Sequence, residues 1–272
     1  MLERTGGLVP EFVNPKYADS TCTTFKAPTR LECMMQDHPK VLGSDARVGF
    51  VTLPVCAFSP VKNSIEAGVG KAQAGLPPQC ALSGELDVYN SACDRLRSIG
   101  ARVAEPKPFT AAGITYPRAA GVVLSPRITA TSASMAAAFP TPDQVSISQR
   151  SFLVVKGGGD VTIHSLQLDG ALEIRVAEGV HAEIRGLAVT NAGWDLAPLD
   201  DSADEAGSQV PDSLRIRGYR LVRKEHTAVV FDEEGRHDQF VVHRPASDAA
   251  AVKRARTVSQ AEEAGPEAAS TA

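Results

Sequence analysis

Residues 152–189 read FLVVKGGGDVTIHSLQLDGALEIRVAEGVHAEIRGLAV. Short apolar runs follow one another closely in this stretch, and Gly or Asp separates most of them. Apolar and polar residues alternate within most runs, which turns one face of each extended segment toward a core. The stretch therefore predicts a series of short strands.

The same pattern extends over residues 114–242, with further strand-like runs at 122–124 and 145–147. Short, fairly even spacing is typical of a β-helix, in which each coil stacks on the previous one and covers an apolar stripe. An antiparallel sandwich fits the pattern equally well, so both architectures stay open. The coils are too irregular for the hexapeptide repeat of a β-helical acyltransferase.

Residues 1–108 instead mix helix and strand signals. Val48–Leu53 predicts a strand, and 102–104 predicts another. A helix is predicted between them, with Ser83 as N-cap, Glu85 in the first turn and Gly100 at its end. Its apolar face is formed by residues at helical spacing, namely Leu86, Tyr89, Cys93 and Leu96. Strand, helix and strand together predict an α/β layer.

Two further segments have a biased composition. Residues 68–80 are rich in Ala, Gly and Pro and predict an exposed loop. Residues 244–272 are rich in Ala, Glu and Ser and have no aromatic residue, which predicts a disordered tail.

Composition excludes several classes of protein. The formal net charge of −4 gives no global positive field to attract nucleic acid or an acidic membrane. The five cysteines form no CxxC motif, which disfavours a zinc site or a disulfide framework. No apolar run approaches the roughly 20 residues that span a bilayer. A cytoplasmic protein without nucleic-acid or membrane partners is predicted.

Two segments carry candidate phosphate-binding residues. Lys16, Lys26 and Arg30 lie among turn residues, and loop cations of this kind bind anions when a rigid scaffold aims them. Lys62 follows Pro60, whose ring fixes the backbone before the lysine. Solvated surface charges explain the same residues without any function.

A family resemblance bears on this choice. The segments EFVNPKYADSTCTTFKAPTRLECMMQDHPK, ARVGF, FSPVKN and SGELDVYN resemble those of UDP-sugar pyrophosphorylases from plants, algae and trypanosomatid parasites. In the strand-rich zone, VSISQRSFLVVKG, IHSLQLDGALEI, NAGWDL and SLRIRGYR resemble the carboxyl-terminal portion of the same family. The similarity extends from about Leu2 to about Tyr219, in the family's order, which favours function over solvated charge.

The resemblance implies a fold and a reaction. The family has a doubly wound α/β catalytic domain followed by a β-helical domain. Here that implies a partial nucleotidyltransferase (Rossmann-like) layer at 1–108, a β-helix-like domain at 109–243 and the tail at 244–272. The implied activity is that of a UTP-monosaccharide-1-phosphate uridylyltransferase, which joins UTP to a sugar 1-phosphate and releases a UDP-sugar and pyrophosphate, with Mg²⁺ as cofactor.

The resemblance also implies site residues. Lys62 matches a lysine beside the reacting phosphates and is the predicted catalytic residue. Asn63 is predicted to orient Lys62 or to contact substrate.

The remaining predicted substrate-binding residues lie earlier in the chain. Lys26 and Arg30 match positions near the phosphates, and Glu11 and Asn14 match positions that receive the sugar.

The sequence departs from the family in one respect. The family binds UTP with a glycine-rich loop of the form LxGGxGxRLG, which these 272 residues do not contain. The UTP-binding half and the magnesium-binding aspartate are therefore expected upstream, and the chain is predicted to be a fragment. The alternative is a catalytically inactive structural or oligomerisation remnant.

Overall fold

The computed structural model describes residue 6 and residues 8–53, 58–199, 210–231 and 235–241, the last of these by backbone alone. The chain divides into two units, 1–53 and 54–272. The tail predicted to be disordered, 244–272, lies outside the described residues.

The first unit is built around one small ladder. Strands β1 (Glu11–Val13) and β2 (Leu31–Cys33) pair in antiparallel register, and a 3-10 helix follows at Met35–Val41. The strand predicted at Val48–Leu53 is wrong, because these residues form no ladder and their apolar side chains are exposed. An extended apolar run becomes a strand only where another strand satisfies its backbone groups.

The second unit contains five α-helices and fifteen strands within its described residues. The helices are α1 (Ile65–Gln73), α2 (Ala81–Ser98), α3 (Pro126–Thr129), α4 (Ser132–Ala138) and α5 (Asp212–Arg217), and a 3-10 helix lies at Pro142–Gln144. The first eight strands are β3 (Arg102–Val103), β4 (Lys107–Ala111), β5 (Ile114–Arg118), β6 (Gly121–Leu124), β7 (Val145–Ile147), β8 (Phe152–Gly157), β9 (Asp160–Ile163) and β10 (Leu166–Asp169). The others are β11 (Ala171–Val176), β12 (Val180–Arg185), β13 (Leu187–Thr190), β14 (Trp194–Pro198), β15 (Tyr219–Arg223), β16 (Thr227–Phe231) and β17 (Gly235–Val241).

Three parallel sheets form the centre of this unit. Their strand orders are β13-β10-β7-β3, β16-β11-β8-β6 and β17-β12-β9. From β7 to β13 the chain visits the three sheets in strict rotation. The strands β7, β8, β9 and β10 each pair with the strand three places further along. Because every pairing in these sheets is parallel, the antiparallel sandwich that the pattern left open does not describe them. Two antiparallel strand pairs, β4–β5 and β14–β15, lie outside the rotation.

The apolar face of each strand forms a common core. Ile147, Leu153, Ile163, Leu172 and Ile184 are all at most 1 % exposed and belong to one cluster. Burying a side chain of this size contributes about 1.5–3 kcal/mol relative to leaving it in water. The strand runs predicted between 122 and 189 are all confirmed, because period-2 alternation reports the buried face directly.

The turn between β10 and β11 needs a backbone conformation that favours glycine. Gly170 separates β10 from β11 with φ +149°, and a Cβ there would lie 2.2 Å from Oδ1 of Asn191. That amide oxygen accepts the N–H of Ala171 at 2.8 Å, and the Asn191 side-chain nitrogen donates to the Ala171 carbonyl at 2.9 Å. Asn191 therefore fastens the corner of one coil to the next.

Helix α2 begins earlier than its sequence pattern predicted. Its N-cap is Cys80, and Ser83 is the third helical residue, whose hydroxyl accepts the Cys80 N–H at 3.2 Å. Ser83 is therefore half of a reciprocal cap and not the cap itself. The helix ends at Ser98, and Gly100 with φ +103° confirms the predicted stop.

The face of α2 that was predicted to be apolar is buried. Leu86, Tyr89, Cys93 and Leu96 are all among its buried residues, as their helical spacing predicted. Because Leu86 and Tyr89 pack in one apolar cluster and Cys93 and Leu96 in the other, α2 lies over both parts of the core.

The loop predicted at 68–80 is partly wrong. Helix α1 runs through Gln73, begins with Ser64 as N-cap and contains the buried Gly68. A Cβ at Gly68 would lie 3.2 Å from the Cys80 sulfur, so glycine lets this helix lie close to the start of α2. Composition suggested a loop, but a glycine within a helix is tolerated when tertiary packing needs close approach, as at Gly68.

Candidate active site

The first unit carries four of the predicted site residues. Glu11 pairs with Cys33 in the β1–β2 ladder, whose other end is the pair Val13 and Leu31. Asn14 directly follows β1 and Arg30 directly precedes β2, so both lie just beyond that end of the ladder. The ladder therefore places Glu11 at one end and Asn14 with Arg30 at the other, all with exposed side chains.

Lys26 lies in the loop that connects the two strands. Its backbone N–H donates to the Lys16 carbonyl at 2.8 Å, and the next pair of residues inward, Tyr17 and Phe25, stack with ring centroids 5.3 Å apart. Two exposed lysines are therefore held opposite each other. Sequence reasoning noted Lys16 as a loop cation but did not predict that it faces Lys26, because only the backbone pairing brings them together.

The tip of this loop is fixed by Asp19. Its carboxylate accepts the Thr21 N–H at 2.9 Å and the Thr21 hydroxyl at 2.5 Å. These two hydrogen bonds from Thr21, the side-chain one foremost, lower the pKa of Asp19 below its usual value. The loop is thus a side-chain-stabilised turn that presents cations on a defined backbone.

The second unit carries Lys62 and Asn63. The backbone N–H groups of both residues donate to the Gln79 carbonyl, at 2.9 and 3.0 Å. The Asn63 side chain also donates to the Pro78 carbonyl at 2.8 Å. The Lys62 side chain is exposed, and none of the described carboxylates forms an ion pair with it.

The segment before Lys62 is attached to α2. The Ser59 hydroxyl donates to Oδ2 of Asp87 at 2.5 Å, and the Tyr116 hydroxyl donates to the same carboxylate at 3.0 and 3.1 Å. Burial, followed by the charge of Asp87, raises the pKa of Tyr116, which keeps this phenol protonated as a donor. A Cβ at Gly84 would lie 2.4 Å from Cγ2 of Val61, so α2 approaches the segment closely at a glycine.

A cleft of about 400 Å³ adjoins the Lys62 segment. Its lining includes Val61 and Asn63, the start of α1, and Arg215 with Ile216 from α5. The exposed Lys62 lies in the sequence between two of these lining residues.

The basic residues of SLRIRGYR lie on two different elements. Arg215 and Arg217 lie on helix α5, Gly218 ends that helix with φ +77°, and Arg220 lies on β15. Alternation of apolar and basic residues over five positions fits a short helix as well as a strand. The left-handed Gly218 decides for the helix here.

Arg217 forms a half-buried ion pair that sequence reasoning missed. Its Nε donates to Oε2 of Glu85 on α2 at 2.6 Å, and its guanidinium lies 4.6 Å from the centre of the Tyr219 ring. Tyr89 donates to the other Glu85 oxygen at 2.5 Å. Burial opposes ionisation of Glu85, but the hydrogen bonds from Arg217 and Tyr89 outweigh it and lower the pKa of Glu85. Because the partners are 132 positions apart in the sequence, no local pattern pointed to the pair.

One tryptophan and two histidines of the strand zone have structural contacts. Trp194 is 4 % exposed, and its ring centroid lies 5.4 Å from that of Phe152, so it packs in the core. His164 and His181 lie on either side of Glu183, at 3.8 and 3.9 Å. Neither distance is a hydrogen bond.

A cluster of metal ligands or a long apolar helix would indicate a metal site or a membrane span in the described residues. Among them, no group of three or more His, Cys, Asp or Glu side chains is placed to hold a metal ion. No helix in the described ranges is long and apolar enough to cross a bilayer.

Comparison with known proteins gives a consistent match. No protein-family model matches the chain. A UDP-sugar pyrophosphorylase of Arabidopsis thaliana is 36% identical over 244 residues, which cover 86% of this chain and 37% of that protein. UDP-sugar pyrophosphorylases of Oryza sativa subsp. indica and subsp. japonica are 37% and 36% identical, each over 82% of this chain and 35% of its own length.

The extent of these matches agrees with the predicted carboxyl-terminal portion. The chain spans little more than a third of the length of the curated relatives that it matches. The matched residues nevertheless make up more than four fifths of the chain. The resemblance predicted from the sequence is confirmed, and this chain is a relative of the UDP-sugar pyrophosphorylases.

Proposed function

We propose that this chain takes part in uridylyl transfer as a portion of a UTP-monosaccharide-1-phosphate uridylyltransferase. The observation that carries the proposal is the 36–37% identity to UDP-sugar pyrophosphorylases over 82–86% of the chain. The proposed substrates are UTP and monosaccharide 1-phosphates, and the products are a UDP-sugar and pyrophosphate. A phosphate oxygen of the sugar 1-phosphate attacks the α-phosphorus of UTP in line, and pyrophosphate leaves.

Lys62 is the proposed catalytic residue. Such a transfer needs no covalent enzyme intermediate, so positioning and charge neutralisation supply the rate. A lysine whose backbone is fixed by the Gln79 carbonyl, and whose ammonium group is exposed, supports this role. Its positive charge offsets the negative charge that develops on the phosphate oxygens in the transition state. The bond from Asn63 to Pro78 supports the orienting role proposed for Asn63.

The first unit supplies the proposed substrate-binding residues. Lys26 and Arg30 are exposed cations on a loop with a fixed backbone, as phosphate binding requires. Glu11 and Asn14 offer a carboxylate that accepts hydrogen bonds and an amide that both donates and accepts them, which fits sugar hydroxyl groups.

The domain architecture belongs to the same proposal. The rotation of the chain through three parallel sheets supports a β-helical domain within 109–243, preceded by the nucleotidyltransferase layer and followed by the tail. We place the protein in the cytoplasm, which the free thiols of Cys22, Cys33, Cys80 and Cys93 support.

Mg²⁺ is the proposed cofactor of the reaction. The described residues hold no cluster of ligands that fits it, so no step is assigned here to a metal bound by them. Its ligands are proposed to belong to the UTP-binding part of the enzyme.

Reconstitution tests the proposal. UTP-dependent pyrophosphate release is measured for the chain alone and after addition of the amino-terminal half of a plant relative, with several sugar 1-phosphates. Because these 272 residues lack LxGGxGxRLG, we expect no turnover from the chain alone and turnover from the mixture.

Two outcomes would contradict the proposal. A folded chain that stays inactive with the supplied half, while full-length relatives turn over in the same assay, would favour the non-catalytic structural or oligomerisation module. UDP-sugar formation by the chain alone would refute the assignment of UTP binding to other residues.

A further inference from the structure

Ser59 lies in a distinctive sequence context. Pro60 follows it directly, and Lys62 lies three positions after it. Residues 58–63 adopt no helix or strand, and the flanking Phe58 and Val61 side chains are 71% and 58% exposed. Ser59 and Pro60 themselves are half-buried. A serine before proline, with a base three positions on in an irregular segment, has the sequence features that proline-directed protein kinases recognise.

The Ser59 hydroxyl also has an unusual partner. It donates to Asp87 at 2.5 Å, and the only other described donor to that carboxylate is the Tyr116 hydroxyl. No lysine, arginine or histidine of the described residues forms an ion pair with Asp87. The hydroxyl is therefore bound to a carboxylate whose negative charge is not neutralised by an adjacent base.

We propose that Ser59 is a phosphorylation site and that its phosphate releases the Lys62-bearing segment, residues 58–63, from helix α2. In the modification, a bond forms between Ser59 Oγ and the γ-phosphorus of ATP, and the bond from that phosphorus to the β,γ-bridging oxygen breaks. ADP leaves, and the hydroxyl proton passes to the catalytic base of the kinase.

Electrostatics gives the reason for release. A phosphoserine carries a charge of about −1.5 to −2 at pH 7 and no longer donates a hydrogen bond from its Oγ. At the position of the hydroxyl it would face Asp87 as a like charge. Arg95 lines one cleft together with Ser59 and Asp87. It lies eight residues after Asp87 along α2, about 12 Å by helical rise, and its guanidinium already donates to the Thr129 carbonyl.

The other attachments of the segment are few. Lys62 and Asn63 share a single carbonyl acceptor, Gln79, and the Asn63 side chain adds one bond. A segment with so few hydrogen bonds and so much exposed surface opens locally at a small fraction of the global unfolding free energy. The kinase meets Ser59 in that open state, and phosphorylation prevents it from closing.

The consequence for activity rests on the proposed function. If Lys62 neutralises substrate phosphates, its release removes a positioned charge and switches the enzyme off. The modification and the release themselves involve neither UTP nor a sugar phosphate, so they are measured separately from catalysis.

The test uses the 272-residue chain, a proline-directed kinase and ATP. Mass spectrometry should find phosphate on Ser59, none at that position in Ser59→Ala, and strongly reduced incorporation in Pro60→Ala. A peptide of residues 56–66 serves as the unfolded reference for recognition. Phosphorylation should speed hydrogen exchange of the Lys62 and Asn63 amides at least about tenfold, because both lose the Gln79 carbonyl.

A second variant isolates the electrostatic cause. In Asp87→Asn the neutral amide donates to a phosphate, so phosphorylated Asp87→Asn should keep slower exchange at Lys62 than phosphorylated wild type. If the peptide were phosphorylated and the folded chain were not, Ser59 would not be a phosphorylation site of the folded protein. If the kinase did not phosphorylate the peptide, the sequence around Ser59 would not be recognised, and the proposed site would also be refuted. Phosphate on Ser59 without faster exchange at Lys62 would refute the release.

Discussion

The Gln79 carbonyl oxygen accepts the backbone N–H of Lys62 at 2.9 Å, and Gln79 itself adopts a left-handed backbone with φ +51°. Non-glycine residues rarely take this conformation, and it turns the carbonyl at the start of α2 back toward the preceding segment. The proposed catalytic lysine is thus positioned by a residue 17 places later in the sequence. This relationship gives the first prediction.

We expect Gln79→Val to destabilise the chain by about 1–2 kcal/mol, because a β-branched residue tolerates positive φ poorly. Gln79→Gly keeps the backbone and should stay within about 1 kcal/mol of wild type. Urea denaturation followed by circular dichroism gives both values. Equal midpoints for the two variants would contradict the strain at this position.

Lys62→Ala should lower turnover in the reconstituted enzyme by at least about tenfold, because a transition-state charge loses its counter-charge. Lys107→Ala is the matched control, since Lys107 is an exposed lysine on β4 outside the site. Both variants should unfold at the wild-type urea concentration. Wild-type turnover in Lys62→Ala would refute the catalytic assignment.

Gly84→Ala should displace the Lys62 segment. Alanine normally stabilises a helix interior relative to glycine by about 0.5–1 kcal/mol. At Gly84 the new Cβ would lie 2.4 Å from Cγ2 of Val61, whereas at Gly70 in α1 it would meet no atom within 4 Å. Gly70→Ala should therefore stabilise the chain, and Gly84→Ala should not.

A double variant checks the cause of that difference. Adding Val61→Ala to Gly84→Ala removes the clashing methyl group and should restore the gain in unfolding free energy. If Gly84→Ala alone stabilised the chain as much as Gly70→Ala, the close approach of Val61 would be wrong.

The Glu85–Arg217 pair should make stability depend on pH. Glu85→Gln leaves a half-buried guanidinium without its counter-charge and should cost about 1–3 kcal/mol near neutral pH. The exposed Arg215–Asp212 pair is the control, and Asp212→Asn should cost less than about 1 kcal/mol.

The sign of the pH effect follows from the lowered pKa of Glu85. The unfolded carboxyl binds its proton more readily than the folded one, so the stabilisation is full above the unfolded pKa of about 4.3. It is lost as the pH falls through the lower folded pKa. The difference in unfolding free energy between wild type and Glu85→Gln, measured by urea denaturation from pH 7 to pH 3, should become smaller below about pH 4. If this difference stayed constant with pH, the Glu85–Arg217 pair would not be the cause of the pH dependence.

Local pattern was sufficient where one face of an element decides its structure. The alternation in residues 152–189 predicted each strand, and helical spacing predicted the buried face of α2. In both cases buried side chains recur with the period of the element, at every second residue in a strand and at every third or fourth residue in a helix. Family resemblance added the site residues, which local pattern alone explains equally well as surface charge.

Tertiary structure decided what the local signals left open. Val48–Leu53 has strand-forming residues but no partner strand among the described residues. The segment Asp212–Arg217 forms helix α5, which ends at Gly218 and is attached to α2 by the contact of Arg217 with Glu85. Parallel pairing and the Ser59–Asp87 contact join residues 15 or more positions apart. A side chain fixes its own backbone preference, whereas a partner distant in sequence exists only once the chain has folded. The sequence by itself therefore determined the strands between 122 and 189, the apolar face of α2 and the family, and the folded chain determined which of these elements meet.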